Sequence, residues 1–221
     1  MELALETSRR ETSLALAAGE LVLVDEGGAA HASDLLPRLE VLLARAGLPR
    51  GVRPLPLRTL YVGLGPGSYT GLRVGIATAH GLARATGATL HGVSSFEALA
   101  FAELAQGEVG AVVADARAGR AYFARFRREA SGLTVLDPPC ACAPGELGER
   151  CSAVEVVFAH AGLRESFGLE LPPGVRYRED ARPRAGAVLA LGRARSRAGA
   201  LAAQGSLEPL YLAEIAPRAP S

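Results

Sequence analysis

One stretch, Leu57 to Gly87 (LRTLYVGLGPGSYTGLRVGIATAHGLARATG), limits what this chain can fold into more than any other. Leu60-Tyr61-Val62 is a short apolar, β-rich run that predicts a buried strand. Gly63, Gly65, Pro66 and Gly67 cannot continue that strand, so the backbone turns there. Ser68 or Thr70 then offers a hydroxyl to cap a helix, which runs from about Gly71 to Thr86 and stops at Gly87. Strand, glycine turn and helix start, in that order, can present free N–H groups to an anion. Neither familiar phosphate loop is present. The chain contains no lysine for a Walker loop, and Gly65-x-Gly67-x-x-Thr70 lacks the last glycine of the dinucleotide fingerprint. Inside the helix, Gly71, Gly75 and Ala79 recur every four residues, although glycine there costs about 1 kcal/mol against alanine. A close neighbour is expected on that face, either a second helix or the chain's own sheet. Arg73, His80 and Arg84 exclude a membrane-spanning helix.

Composition narrows the class without naming a function. A chain of 221 residues, 49% of them hydrophobic, can bury a sizeable core as one large or two small domains. A formal charge of +1 offers no global attraction to nucleic acid or to an anionic membrane. All 24 basic residues are arginine and asparagine is absent, a bias that a GC-rich genome explains. Glu2 and Glu6 interrupt the apolar start and no apolar run approaches a membrane span, so a reduced, cytoplasmic setting without membrane contact is expected. Cys140, Cys142 and Cys151 read as ordinary thiols, because their spacing with His160 matches no ribbon or finger zinc site.

In chain order, Leu3–Leu5, Ser13–Ala17 and Leu21–Val24 predict an opening antiparallel meander, with Ser8-Arg9-Arg10-Glu11 as its first turn. Leu35, Leu39, Leu42, Leu43 and Ala46 form an apolar stripe along a helix from Ser33 to Ala46, with Pro37 near its first turn. His31 reads as a surface or capping residue, and Arg50–Leu57 as a loop. A strand at Thr89–Val93 precedes a capping box, Ser94 with Glu97, that opens a helix to about Ala105. Val109–Ala114 and Arg120–Arg127 read as a hairpin, Leu136–Pro144 as a proline-rich loop, and Val154–Ala159 as a strand. Pro183–Gln204 is helical, with Arg184, Arg193, Arg195 and Arg197 taken as a solvated face, and Pro217–Ser221 as a frayed tail. RNA grooves combine basic and aromatic side chains, and that helix has no aromatics.

GLGPGSYTGLRVGIATAHGLA followed by GVSSFEALA resembles the TsaB family, once filed with the glycoprotease-like M22 peptidases. The likeness is close over Tyr61–Ala100. It continues in Asp115-Ala116-Arg117-x-Gly119-x-x-Tyr122 and in Glu208-Pro209-Leu210-Tyr211-Leu212. It implies an α/β fold of the actin/Hsp70/sugar-kinase class: a ribonuclease H-like N-terminal lobe over 1–106, with mixed sheet and helices, and a smaller lobe over 107–221. In ATPases of that class the first hairpin turn carries an acidic residue and glycine. Here the turn is Leu5-Glu6-Thr7-Ser8, with Glu6 where the family usually has Asp.

The resemblance implies a non-catalytic subunit of the machinery that moves a threonylcarbamoyl group from threonylcarbamoyl-AMP to N6 of the adenosine beside the tRNA anticodon. TsaD and TsaE would be partners, tRNA would be met indirectly, and the chain would form a homodimer when alone. The catalytic relative holds its metal on His-x-x-x-His; aligned by the glycine turn, those positions are Ser95 and Leu99 here, which suit no metal. The expected partner interface comprises Leu35, Leu39, Leu42, Gly71, Leu72, Gly75 and Ala79. Candidate nucleotide or anion contacts are Glu6, Thr7, Gly65, Gly67, Ser68 and Asp115, although Asp115 also suits a plain turn acceptor. No catalytic residue, metal or obligatory cofactor is assigned, and a weak or shared ATP or ADP at a subunit interface is the one ligand foreseen. The competing reading is an independent actin-like ATPase or an M22-type metallopeptidase.

Overall fold

Alternation of side chains across the first sheet decides how the N-terminal half is layered. Strands β1 (Glu2–Glu6), β2 (Ser13–Ala18), β3 (Leu21–Glu26), β4 (Thr59–Gly63) and β5 (Thr89–Val93) stand in the order β3-β2-β1-β4-β5. The meander pairs are antiparallel, while β1–β4 and β4–β5 are parallel. Leu3, Leu5, Leu14, Leu16, Leu60 and Val62 are buried on one face, with helices α1 (Leu35–Arg45) and α2 (Tyr69–Thr86). Ala4, Ala15, Ala17 and Tyr61 are buried on the other, with helix α6 (Ala185–Arg197). Alanines there let α6 come close, and a β-carbon on Gly192 would collide with the Tyr61 ring. This is a computed structural model, and it describes residues 1–27, 34–48, 51, 55–201, 207–210 and 212.

The second half repeats the plan. Strands β6 (Val109–Arg117), β7 (Arg120–Glu129), β8 (Gly132–Cys142), β9 (Val156–Phe158) and β10 (Arg176–Arg178) lie in the order β8-β7-β6-β9-β10. Again the first three pair antiparallel and the last two join in parallel. Each lobe is therefore three meander strands plus two crossovers, but α4 (Leu147–Arg150) and α5 (Leu163–Ser166) are single turns. Helix α3 (Ser95–Glu103) lies between the lobes, touching β6, β7 and β8 on one side and α6 on the other.

Local signals set the helix ends. Ser68 caps α2 by accepting the Gly71 N–H at 3.2 Å, and Gly87 ends the helix at φ 72°. Ser94 accepts the Glu97 N–H at 3.4 Å, but only half of the expected capping box forms, because the Glu97 carboxylate pairs with Arg195. The solvated face expected on the last helix is likewise corrected. Arg193 pairs with Glu2, Arg195 with Glu97 and Arg184 with Glu26 at 2.9 Å, so three of its arginines pin α6 to the first half. The loop expected over Leu136–Pro144 is largely strand β8. Pro138 and Pro139 are tolerated because β8 is a sheet edge, and its register against β7 shifts beside them. The one-turn helices and β10 carry too little periodicity to be foreseen. His31, Ser33, Tyr211, much of the loop before β4 and the tail at 217–221 lie outside the described residues.

Candidate functional site

The glycine turn after β4 and the hairpin turn after β1 are locked together. A β-carbon on Gly75 would strike the Thr7 side chain, one on Gly71 the Thr7 carbonyl, and one on Gly67 the Ser8 carbonyl. The small face of α2 is thus filled by the chain's own first turn, not by another helix. Interlocking also consumes the donors that an anion would need. The Ser68 N–H donates to the Ser8 carbonyl at 2.7 Å, and the Gly65 N–H donates to Ser95 Oγ at 3.0 Å. The phosphate seat expected from Gly65, Gly67 and Ser68 is closed from inside.

Glu6 sits beneath this lock, fully buried. Its Oε1 accepts the Ser8 N–H at 2.7 Å, while Oε2 has no hydrogen-bond partner. Burial pushes its carboxyl above the ordinary range, and the neighbouring Ser8, Ser95 and Thr7 groups draw it only partly back. Thr7 Oγ1 and Ser8 Oγ are also buried without partners, so three polar atoms are orphaned at one turn. Ser95 and Leu99 are buried in the α3 interface. Among the described residues no three His, Cys, Asp or Glu side chains gather as metal ligands do. Cys142 and Cys151 lie in the second lobe's core, where burial pushes the Cys151 thiol up to about 12.

The residues expected to form a partner interface are placed under the helices. Leu35, Leu39, Leu42, Leu72 and Ala79 are all buried, joined by Gly75, and Gly71 is half-buried. What α1 and α2 expose instead is Leu36 at 53%, Val41 at 57% and Tyr69 at 44%.

A cavity of about 1390 Å³ opens between the lobes. The β1–β2 turn and the start of α2 form one wall, the β6–β7 turn and the segments after β9 and β10 the other. Asp115 stands here, but its Oδ1 accepts the Arg117 N–H at 2.7 Å and shapes the turn. That turn is strained: Arg117 and Ala118 both take positive φ, 68° and 49°, before Gly119 at 69°. The structure brings Ser68 and Asp115 to this one cleft, with Gly67, and leaves Glu6 and Thr7 walled off behind Ser8. Arg9, Arg10, Arg120, Arg182 and Tyr122 line it too, unforeseen as site residues from the sequence, as does His160, weighed there only as a zinc ligand with the cysteines. They come from four separate segments, so no local spacing could reveal them.

Comparison with known proteins accords with these features. The family model described as "TsaD: tRNA N6-adenosine threonylcarbamoyltransferase" matches residues 25–166. The chain is 37% identical over 131 residues to the tRNA threonylcarbamoyladenosine biosynthesis protein TsaB of Haemophilus influenzae, covering 58% of this chain and 54% of that protein. It is 32% identical over 105 residues to the Escherichia coli protein of the same name, covering 47% and 44%. The matched stretch thus spans about half the length of these curated relatives. The crystal structure of YeaZ from Pseudomonas aeruginosa superposes with a TM-score of 0.80 at 24% identity, over 96% of this chain and 99% of that one. That likeness establishes the two-lobed α/β fold with its mixed sheets.

Proposed function

This chain belongs to the TsaD family, among its TsaB/YeaZ-like M22 members, and we propose that it is a non-catalytic partner subunit in threonylcarbamoyl transfer to tRNA. In this reading it binds and activates TsaD, which performs the transfer from threonylcarbamoyl-AMP to adenosine N6. TsaE joins the assembly, tRNA is met through the complex, and a homodimer forms when the partner is missing. The lobes, divided near residue 107, are those of the actin-like class, the first of them ribonuclease H-like. The setting is cytoplasmic. ATP or ADP is at most shared at a subunit boundary.

The observation that carries this reading is the exposure of Leu36 and Val41 on α1, one of the two helices that cover one face of the first sheet. Large apolar side chains left exposed on a helix suit a partner surface. Leu35, Leu39, Leu42, Gly71, Leu72, Gly75 and Ala79 then serve the interface from below, by setting where α1 and α2 lie. The buried Ser95 and Leu99, where the relative carries its histidines, support a subunit without its own metal chemistry.

Arg substitutions at Leu36 and Val41 test it. Loss of co-purification with TsaD, at an unchanged melting temperature, is the expected result. Undiminished capture would refute the interface. Titration calorimetry of the isolated chain with ATP and with zinc addresses the independent-enzyme alternative, and tight binding of either would revive it.

A further inference from the structure

We propose that the cleft between the lobes seats a single-stranded segment of RNA, held through its phosphates by arginines of both lobes. This rests on the subunit reading above and adds direct contact, where that reading has tRNA held only through the assembly.

Charge is the first support. Arg9 and Arg10 on the β1–β2 turn, Arg117 and Arg120 on the β6–β7 turn, and Arg182 and Arg184 beyond β10 all line this one cavity. Arg117 has Asp115 at 3.6 Å and Arg184 has Glu26 at 2.9 Å, but Arg9, Arg10 and Arg182 make no ion pair among the described residues. Arg9 is half-buried, and burial pulls its guanidinium down despite Glu11 and Glu6 nearby. A guanidinium partly withdrawn from water, with carboxylates near it but none in ion-pair contact, is a state that a bound anion improves. Glu11, Asp115, Glu179 and Asp180 share the cleft, so the six arginines leave an excess of two positive charges. Binding is therefore expected to be salt-labile.

The second support is the sealed floor. In nucleotide sites a phosphate rests on the helix N-terminus, yet here Ser8 occupies that position and takes the Ser68 N–H. Phosphates must lie at the mouth, along the arginines. At about 1390 Å³ the cleft also exceeds the roughly 300–1,000 Å³ of most small-molecule sites, which favours an extended ligand.

Aromatic placement is the third. Tyr69, 44% exposed, lines the same cleft as the arginines, whereas the ring of Tyr122 is packed in the second lobe's core and offers the cleft only its edge. Single-stranded RNA is held by that combination, bases against rings and phosphates against guanidinium groups.

The test is fluorescence anisotropy with a labelled, unstructured oligoribonucleotide and with tRNA, on the chain alone and pre-mixed with TsaD. The triple variant Arg10→Glu/Arg117→Glu/Arg182→Glu is compared with wild type, and the triple Gln variant guards against misfolding from charge reversal. Expected is a loss of affinity of at least about tenfold at low salt, and a log–log salt dependence shallower by about 2, at roughly 0.7 per phosphate contact on a single strand. Equal affinity in folded triple variants would overturn the proposal. So would displacement of the oligoribonucleotide by ATP or tripolyphosphate at equimolar phosphate, which would make the cleft a small-anion site. Capture by TsaD is read from the same samples. If capture fails while the arginine-dependent RNA binding persists, the subunit reading falls and the cleft assignment stands.

Discussion

The two hairpin turns that face each other across the cleft occupy equivalent places in repeated lobes and have opposite characters. The β1–β2 turn is dry where it begins: Glu6, Thr7 and Ser8 are buried and three of their polar atoms lack partners, before Arg9 and Arg10 come out into the cleft. The β6–β7 turn is wet: Arg117, Ala118, Gly119 and Arg120 are exposed, and two non-glycine residues hold positive φ. The difference traces to the helices. Helix α2 is 18 residues long and presents glycines, so it can close onto the first turn backbone to backbone. Its counterpart α5 is 4 residues long and does not reach across. Equal topology therefore yields one turn whose first residues are sealed and one that is open throughout, while arginines reach the cleft from both.

The contrast can be broken at the lock itself. Gly71→Ala would drive a β-carbon into the Thr7 carbonyl, a backbone atom that cannot swing aside. A loss of about 3 kcal/mol in denaturant unfolding is expected, the upper range for overpacking. By the same geometry Gly75→Leu destabilises the monomer, so it is a poor probe of partner binding. A second break is electrostatic. Glu6 has a folded carboxyl raised above its ordinary 4.5. The stability it contributes is full below that value and is lost as pH rises through the folded one. Glu6→Gln removes the charge, so its advantage over wild type should grow from about pH 4 upward in chemical denaturation. A constant difference across that range would show that Glu6 does not titrate there.

Two smaller changes sharpen the comparison. Gly81, on the same helix, has nothing within 4 Å of an added β-carbon. Gly81→Ala should raise stability by roughly 0.8 kcal/mol, read as a higher melting temperature, in contrast to Gly71→Ala. Ala118→Asn places a residue that tolerates positive φ in a tight turn, and about 0.5 kcal/mol of added stability is expected. Were Ala118→Asn destabilising, the strain assigned to this turn would be misplaced.

Much of the first lobe was legible because its signals are local. The apolar run 60–62, the glycines after it, the Ser68 cap and the Gly87 stop each act within a few residues, and β4 and α2 form where they point. The small face of α2 was legible as a close contact but not as to its partner, because nothing in Gly71-x-x-x-Gly75 distinguishes a sheet turn from a second helix. Strand β8 was hidden by Pro138 and Pro139, whose missing N–H groups are accommodated by its edge position together with the register shift against β7 beside them. The arginines of α6 looked solvated because Glu2 and Glu97 lie far along the chain. The cleft was the least legible feature, since its walls come from segments that meet only once both sheets exist.

Helix α6 and Leu207, from the last part of the chain, complete the two faces of the first sheet. On a ribosome the N-terminal strands therefore emerge long before the residues that roof them. Ala4, Ala15, Ala17 and Tyr61 stay bare until residues 185–197 have been made. Maturation of the first half is thus coupled to completion of the second, and a nascent chain stalled after residue 106 presents a sticky sheet to the holding chaperones of the cell.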